Sequence, residues 1–173
     1  DCLLSRGLGD VYKRQAQYLD STFDVTKSSP AWFLVGKNVD EMSTELNPDV
    51  TVGQDVTGEN YTEDNGYTPS VEVDPYYANP SDGAFYEKLV DIAMNRKVDD
   101  SCRTFILEVL VEDTEAETHK AWMEEVIVKP KSIGGKANVS IPYTVNYAGN
   151  RVEGTVTIKN KVPTFMAKTA LTA

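Results

Sequence analysis

Period-2 alternation dominates the last third of the chain. Val139, Ile141, Tyr143, Val145 and Tyr147 alternate with Ser140, Pro142, Thr144 and Asn146. Val152, Gly154, Val156 and Ile158 then alternate with Arg151, Glu153, Thr155, Thr157 and Lys159. Successive side chains of a strand point to opposite faces, so each run predicts a half-buried strand. Between them lies Ala148-Gly149-Asn150, and because Gly and Asn tolerate positive φ the spacing predicts a tight antiparallel hairpin. Pro142 has no N–H to donate, which puts its strand at an edge or turns that position outward.

Upstream, Arg103 to Glu112 and His119 to Lys129 are rich in β-branched and aromatic residues and are joined by a polar connection, a second antiparallel pair. Ala31 to Gly36 predicts a short buried strand and Met42 to Leu46 the next, while Tyr67 to Tyr77 sets Val71 and Val73 in strand context. One helix interrupts the strands, at about residues 83–96. Phe85, Leu89, Ile92 and Ala93 fall at i, i+4, i+7 and i+8, Asp82 is placed to cap the N-terminus, and Arg96-Lys97 suit the C-terminal dipole. Residues 47–66, NPDVTVGQDVTGENYTEDNG, are polar and punctuated by Gly, which predicts either a disordered loop or the two extended arms of a projecting hairpin that orders only against a neighbour. The tail beyond Asn160 shows no period and is expected to form a C-terminal arm. The fold class is therefore mainly β and antiparallel, with one flanking helix.

Charge sharpens this picture. The chain of 173 residues has a net charge of -10, which argues against a basic phosphate-binding face. Its distribution is uneven: from Asn38 to Glu87 there are twelve acids and no Lys or Arg. Such a stretch is either a solvated acidic surface or one that must slide past polyanions. The length suits one domain, and no apolar run approaches the ~18 residues of a membrane-spanning helix. Two cysteines, Cys2 and Cys102, do not make a disulfide framework.

Catalytic chemistry is poorly represented. His119 is the single histidine, Gly-x-Ser-x-Gly is absent, and Cys102 has no CxxC neighbour. Gly134-Gly135-Lys136 lacks the spacing of a phosphate loop and reads as a turn. Glu124 and Glu125 are adjacent on a strand and so face opposite ways, which excludes them as a paired acid and base. Residues 59–66 could wrap a hard cation such as Ca²⁺, although the calcium-hand pattern is not met. No catalytic residue, cofactor or metal ligand is assigned.

Three blocks carry a family resemblance: WFLVGKNVDEMSTELNPDV (Trp32 to Val50), SVEVDPYYANPSDGAFYEKLVDIAMNRK (Ser70 to Lys97) and IPYTVNYAGNRVEGTVTI (Ile141 to Ile158). Over residues 16–159 the chain resembles the major tail tube proteins of siphophage-like bacteriophages and prophages of gut Firmicutes. The resemblance implies a β-sandwich or partly open β-barrel with a flanking helix that assembles as stacked hexameric rings. It implies a virion tail location after assembly in the host cytoplasm, and tape-measure and tail terminator proteins as partners. It also implies a long hairpin from each subunit lining a conduit through which DNA passes without specific binding. Asp49, Asp55, Glu59, Glu63 and Asp64 are then candidates for the lumen and the assembly surface, with Trp32 and Phe33 beside them as candidates from the core strand. The alternative is a secreted β-sandwich module that binds carbohydrate through Trp32 or Trp122, or binds calcium. A small hydrolase using Glu59, Glu63 or Asp64 is a third reading.

Residues 1–15, DCLLSRGLGDVYKRQ, fit neither strand, helix nor secretory signal. They resemble a translated sequencing-adapter segment of the kind fused to metagenomic reading frames, and no packing role is expected of them.

Overall fold

In the computed structural model of the protein, residues 15–36, 39, 42–113, 115–136 and 138–168 are described. Leu3, Leu4 and Tyr12, on which the expectation for the first fifteen residues turns, lie outside them.

Twelve strands and one α-helix occur among the described residues. β1 (Gln15–Asp20), β2 (Trp32–Leu34) and β3 (Met42–Glu45) open the fold, and β4 (Pro48–Gln54) and β5 (Asn60–Tyr67) follow. β6 (Ser70–Val73) and β7 (Tyr77–Ala78) lead to the helix α1 (Ala84–Asn95). Beyond it come β8 (Arg103–Leu110), β9 (His119–Pro130), β10 (Val139–Ser140), β11 (Tyr143–Lys159) and β12 (Val162–Ala167). The main sheet runs β2-β1-β8-β9-β11-β6-β3, with β12 also on β11, and all its pairings are antiparallel. It does not close into a barrel.

The sheet carries a core on each face. One is formed by Leu19, Ile106, Val126, Val128, Val71, Val73, Tyr143 and Val145, and α1 covers it with Phe85, Leu89 and Ile92. Phe85 is the centre of this layer: its ring stacks on Phe33 at 4.2 Å and meets Tyr143 edge-on at 5.7 Å and Tyr76 at 6.0 Å. On the opposite face Ala16, Tyr18, Leu107, Val109, Ala121, Val156 and Ile158 form a smaller core, over which Trp32, Leu34, Met123 and Phe165 pack. With apolar side chains required on both faces, β8 reads as a nearly continuous hydrophobic run rather than an alternating one.

Several expectations are corrected by the structure. Residues 143–159 are one long strand, not a hairpin turning at Gly149-Asn150. The positive φ of Gly149 (100°) and Asn150 (58°) serves bulges instead, and the pairing with β9 slips from Tyr147↔Val126 to Gly149↔Glu125 and to Val152↔Met123. A bulge opposes an extra residue to the partner strand, bending and twisting the ladder. The predicted strand is also cut earlier, at Ile141-Pro142: Val139–Ser140 leaves the main sheet to pair with β7.

The tail beyond Asn160 is not a free arm over residues 162–167, because β12 turns back along β11 from Lys159↔Val162 to Gly154↔Ala167. The two-residue turn is Asn160-Lys161, with φ of 51° and 65°, both in the left-handed region that a tight hairpin of this type requires. Asp82 does not cap α1, whose N-cap is Gly83. It ends a 3-10 turn (Pro80–Asp82) as the reciprocal partner of Asn79, whose side chain accepts from Ser81 N at 2.9 Å, and its carboxylate accepts from the buried Tyr76 hydroxyl at 2.7 Å. At the other end of α1, no basic residue lies in the last turn; Arg96 is the left-handed C-cap, and Lys97 turns back to Asp91 at 2.6 Å. β1, finally, has no counterpart among the strands expected from sequence, although five of its six residues are buried.

Candidate functional site

Between Asn47 and Thr68 the chain leaves the body as a two-stranded ribbon, β4 with β5. Of the two forms expected for residues 47–66, the hairpin is the one observed. It is a continuation of the sheet rather than a separate unit, since Met42↔Val73, Glu45↔Ser70 and Pro48↔Tyr67 keep one register across the break. At the root, Thr68 N donates to Asn47 O at 3.2 Å and the Asn47 side chain donates to Thr68 O at 3.1 Å. Past the root one bulge intervenes, and the pairing resumes at Val50↔Asp64.

Every residue of β4 and β5 except Gly53 and Gly66 is exposed. Alternation sorts the side chains onto two faces. Val50 and Val52 share one face with Thr62 and Asp64, while Asp49, Thr51, Glu63 and Tyr61 occupy the other. The Tyr61 ring packs against Gly53, where a β-carbon would come within 2.5 Å of it, so only glycine admits this packing. The tip is an Asp-centred turn: Asp55 Oδ1 accepts from Thr57 Oγ1 at 2.6 Å, Thr57 N at 2.8 Å and Glu59 N at 3.1 Å. The Thr57 hydroxyl, then these amides, hold the Asp55 carboxyl below its ordinary pKa. Val56 stands fully in solvent beside it.

The five acids singled out from sequence are thus all on the ribbon but not on one face. Asp49 and Glu63 share a face, Asp64 lies with the valines, and Asp55 and Glu59 sit at the tip. Trp32 and Phe33 lie on neighbouring positions of β2 and point into the two opposite cores, Phe33 against Phe85 and Trp32 against the smaller cluster. Among the described residues, no group of three or more His, Cys, Asp or Glu side chains is arranged to hold a metal ion. Cys102 is buried at the end of a 3-10 turn (Asp99–Cys102), with Sγ 3.2 Å from Lys97 O and 3.3 Å from Lys129 Nζ.

A polar cluster that sequence reasoning missed lies at the root of the ribbon. Glu124 and Glu125 do face opposite ways: Glu125 takes Arg103 at 3.1 Å, and Glu124 takes Arg151 at 2.8 Å. Glu124 shares its face with Glu108, and Arg151 bridges the two, reaching Glu108 at 2.7 Å while its guanidinium lies 5.8 Å from the centre of the Trp122 ring. Both glutamates are buried. Burial alone lowers the Arg151 pKa, and the hydrogen bonds to Glu124 and Glu108 outweigh it, so the group is held above its usual value. Glu108 also accepts from Tyr147 Oη at 2.5 Å and from Gln17 Nε2 at 3.2 Å, and the same Gln17 amide donates to Thr44 Oγ1 at 2.7 Å. Burial, then the Glu108 charge, raises the Tyr147 pKa far beyond the physiological range, so it stays a hydroxyl donor. Gln17 of β1 and Thr44 of β3 touch although four strands stand between them in the sheet, so the sheet curls until its ends nearly meet.

No protein-family model matches the chain, and neither does any curated protein. Among solved structures, the SPP1 tail tube, determined by solid-state NMR and cryo-EM, aligns with 82% of this chain and 77% of its own, at a TM-score of 0.56 and 12% identity. The sheath/tube terminator of the PVC extracellular contractile injection system covers 82% of this chain and 94% of its own at a TM-score of 0.48 and 11% identity. The tube terminating cap of the anti-feeding prophage covers 83% and 89% at a TM-score of 0.47 and 15% identity. The last two lie too low to carry an argument, and at its identity the first establishes likeness of architecture: the chain has a tail-tube-like fold.

Proposed function

We propose that the protein is a structural protomer of a phage tail tube, polymerising as stacked hexameric rings around a conduit for DNA. The observation that carries this reading is the ribbon, whose every non-glycine residue is exposed on a chain of tail-tube-like fold. A two-stranded ribbon alone in water is marginally stable, and its outer edges present unpaired N–H and C=O groups. Pairing edge to edge with the ribbons of neighbouring copies satisfies both, and ring closure removes the edges altogether.

The two faces of the ribbon then take different surroundings. The face with Val50 and Val52 turns toward protein, where each valine gains about 1.5–3 kcal/mol on full burial. The face with Asp49, Thr51 and Glu63 turns toward the bore. Carboxylates there repel phosphates, and without Lys or Arg on the ribbon there is no counterion release to hold DNA in place. Tape-measure and tail terminator proteins are the partners inside and at the end of such a tube, and the assembled location is the virion tail. No catalytic step is part of this role.

Negative-stain electron microscopy of the purified protein across a concentration series tests the proposal. Rings of six and stacked tubes are the expected products. A particle that stays monomeric at every concentration and with its tail partners present overturns it.

A further inference from the structure

The cluster at the root of the ribbon touches the larger core only through Tyr147, yet it ties together five strands. Thr44 belongs to β3, which leads into the outgoing arm of the ribbon, and its hydroxyl accepts from Gln17 of β1. The returning arm is held by Tyr147, whose backbone N–H donates to Pro69 O at 3.4 Å and whose hydroxyl donates to Glu108 of β8. Both arms therefore converge, one through Gln17 and one through Tyr147, on the single carboxylate of Glu108. Immediately after Tyr147 come the β11 bulges, where Asn150 donates to Glu125 at 3.1 Å and Arg151 turns inward to Glu108 and Glu124. The last strand-to-strand contact between ribbon and body lies at this point, since the edge of β11 that pairs with β6 up to Asn146 is next occupied by β12 at Gly154.

We propose that Glu108, fixed by Arg151, is a positioning residue: with Gln17, Thr44 and Tyr147 it forms a joint that sets the direction in which the ribbon leaves the body. This rests on the ribbon being the element that joins neighbouring copies. A ribbon attached only at Asn47 and Thr68 would sweep a wide cone, and each copy would have to stop that motion before its edges could pair. Ordering the root in the isolated protomer removes that entropic cost in advance. A charge cluster whose two glutamates are buried and paired with Arg151 suits the task, because its geometry is specific where hydrophobic contact is not.

The test uses substitutions that leave all three charges in place. Thr44→Val and Tyr147→Phe each remove one hydroxyl from the joint, and Thr44→Ser keeps it. In the wild-type monomer and each variant, hydrogen exchange is followed at the Thr68 and Tyr147 amides and at the amides of β8, and assembly is followed by light scattering. The expected result is exchange about tenfold faster at Thr68 and Tyr147 with β8 changed less than about twofold. Slower assembly should accompany it, and Thr44→Ser should behave as wild type. An equal change at all amides, which is what lost global stability produces, overturns the proposal, and so does no change at the root. If the wild type itself forms no rings, the tube reading fails, while the exchange measurement still decides whether the joint exists.

Discussion

The body and the ribbon are made from the same chain by opposite means. In the body, both faces of β8 are buried and the central aromatic, Phe85, meets four other rings. In the ribbon, no side chain is buried and the only aromatic packing is Tyr61 over Gly53. Yet the two share one strand register, from Met42↔Val73 out to Pro48↔Tyr67. Continuity of hydrogen bonding thus does not bring continuity of stability. Ladder bonds exchange water partners for protein partners at small net gain, whereas burial of apolar area supplies most of the folding free energy.

Substitutions in the two regions should therefore read out very differently. The largest effect is expected from Phe85→Ala, which opens a cavity under α1 and should cost about 3–5 kcal/mol in urea unfolding. A loss under about 1 kcal/mol would show that the helix-side core is not what stabilises the body. Next comes Gly149→Val, which forces a β-branched residue to φ 100° in β11. A loss of about 1–3 kcal/mol in thermal unfolding is expected, because that backbone region is strained for any residue with a branched β-carbon.

On the ribbon the same measurements should be nearly silent. Val50→Ser with Val52→Ser is expected to change body stability by less than about 0.5 kcal/mol. It should nonetheless abolish ring formation in electron micrographs. A body destabilised as strongly as by a core substitution would mean that the ribbon folds back in solution.

The smallest effect is one of pH. The Asp55 pKa is lower in the folded tip than in an unfolded chain, so its contribution to order is complete above the ordinary Asp value of about 3.9 and disappears as pH falls through the lower folded value. Amide NMR signals of Thr57 and Glu59 should move in that acid window while those of β8 do not. Signals that shift already near pH 6 would contradict the assignment.

Legibility from sequence divided along similar lines. The helix, the β8–β9 pair and the excursion of residues 47–66 follow from periodicity and Gly punctuation because each is locally determined. β1 was not legible, since Gln17 and Asp20 look like surface residues. Their burial is paid back through bonds to Thr44 and Glu108, and to Thr22 and Ala31, that no local pattern announces. Gly149-Asn150 satisfies a turn and a bulge equally well, and the choice was made by β9, which offers a partner on both sides of the kink. β12 hid because Pro163 and Phe165 face the smaller core while Val162 and Met166 are exposed, leaving no alternation to detect. The acids of the ribbon could be named from charge alone, whereas the Glu108 cluster depends on the curl of a whole sheet.

The shared register of ribbon and body also constrains how this protein can change length. Each cross-strand pair added beyond Pro48↔Tyr67 would extend the ribbon by about 3.3 Å and leave the body untouched. One added pair also turns every side chain beyond it to the opposite face, whereas two added pairs restore the valine and carboxylate faces. Changes of length that keep the sidedness of the ribbon are therefore expected in steps of two cross-strand pairs, or as a single residue taken up in a bulge like the one already past the root.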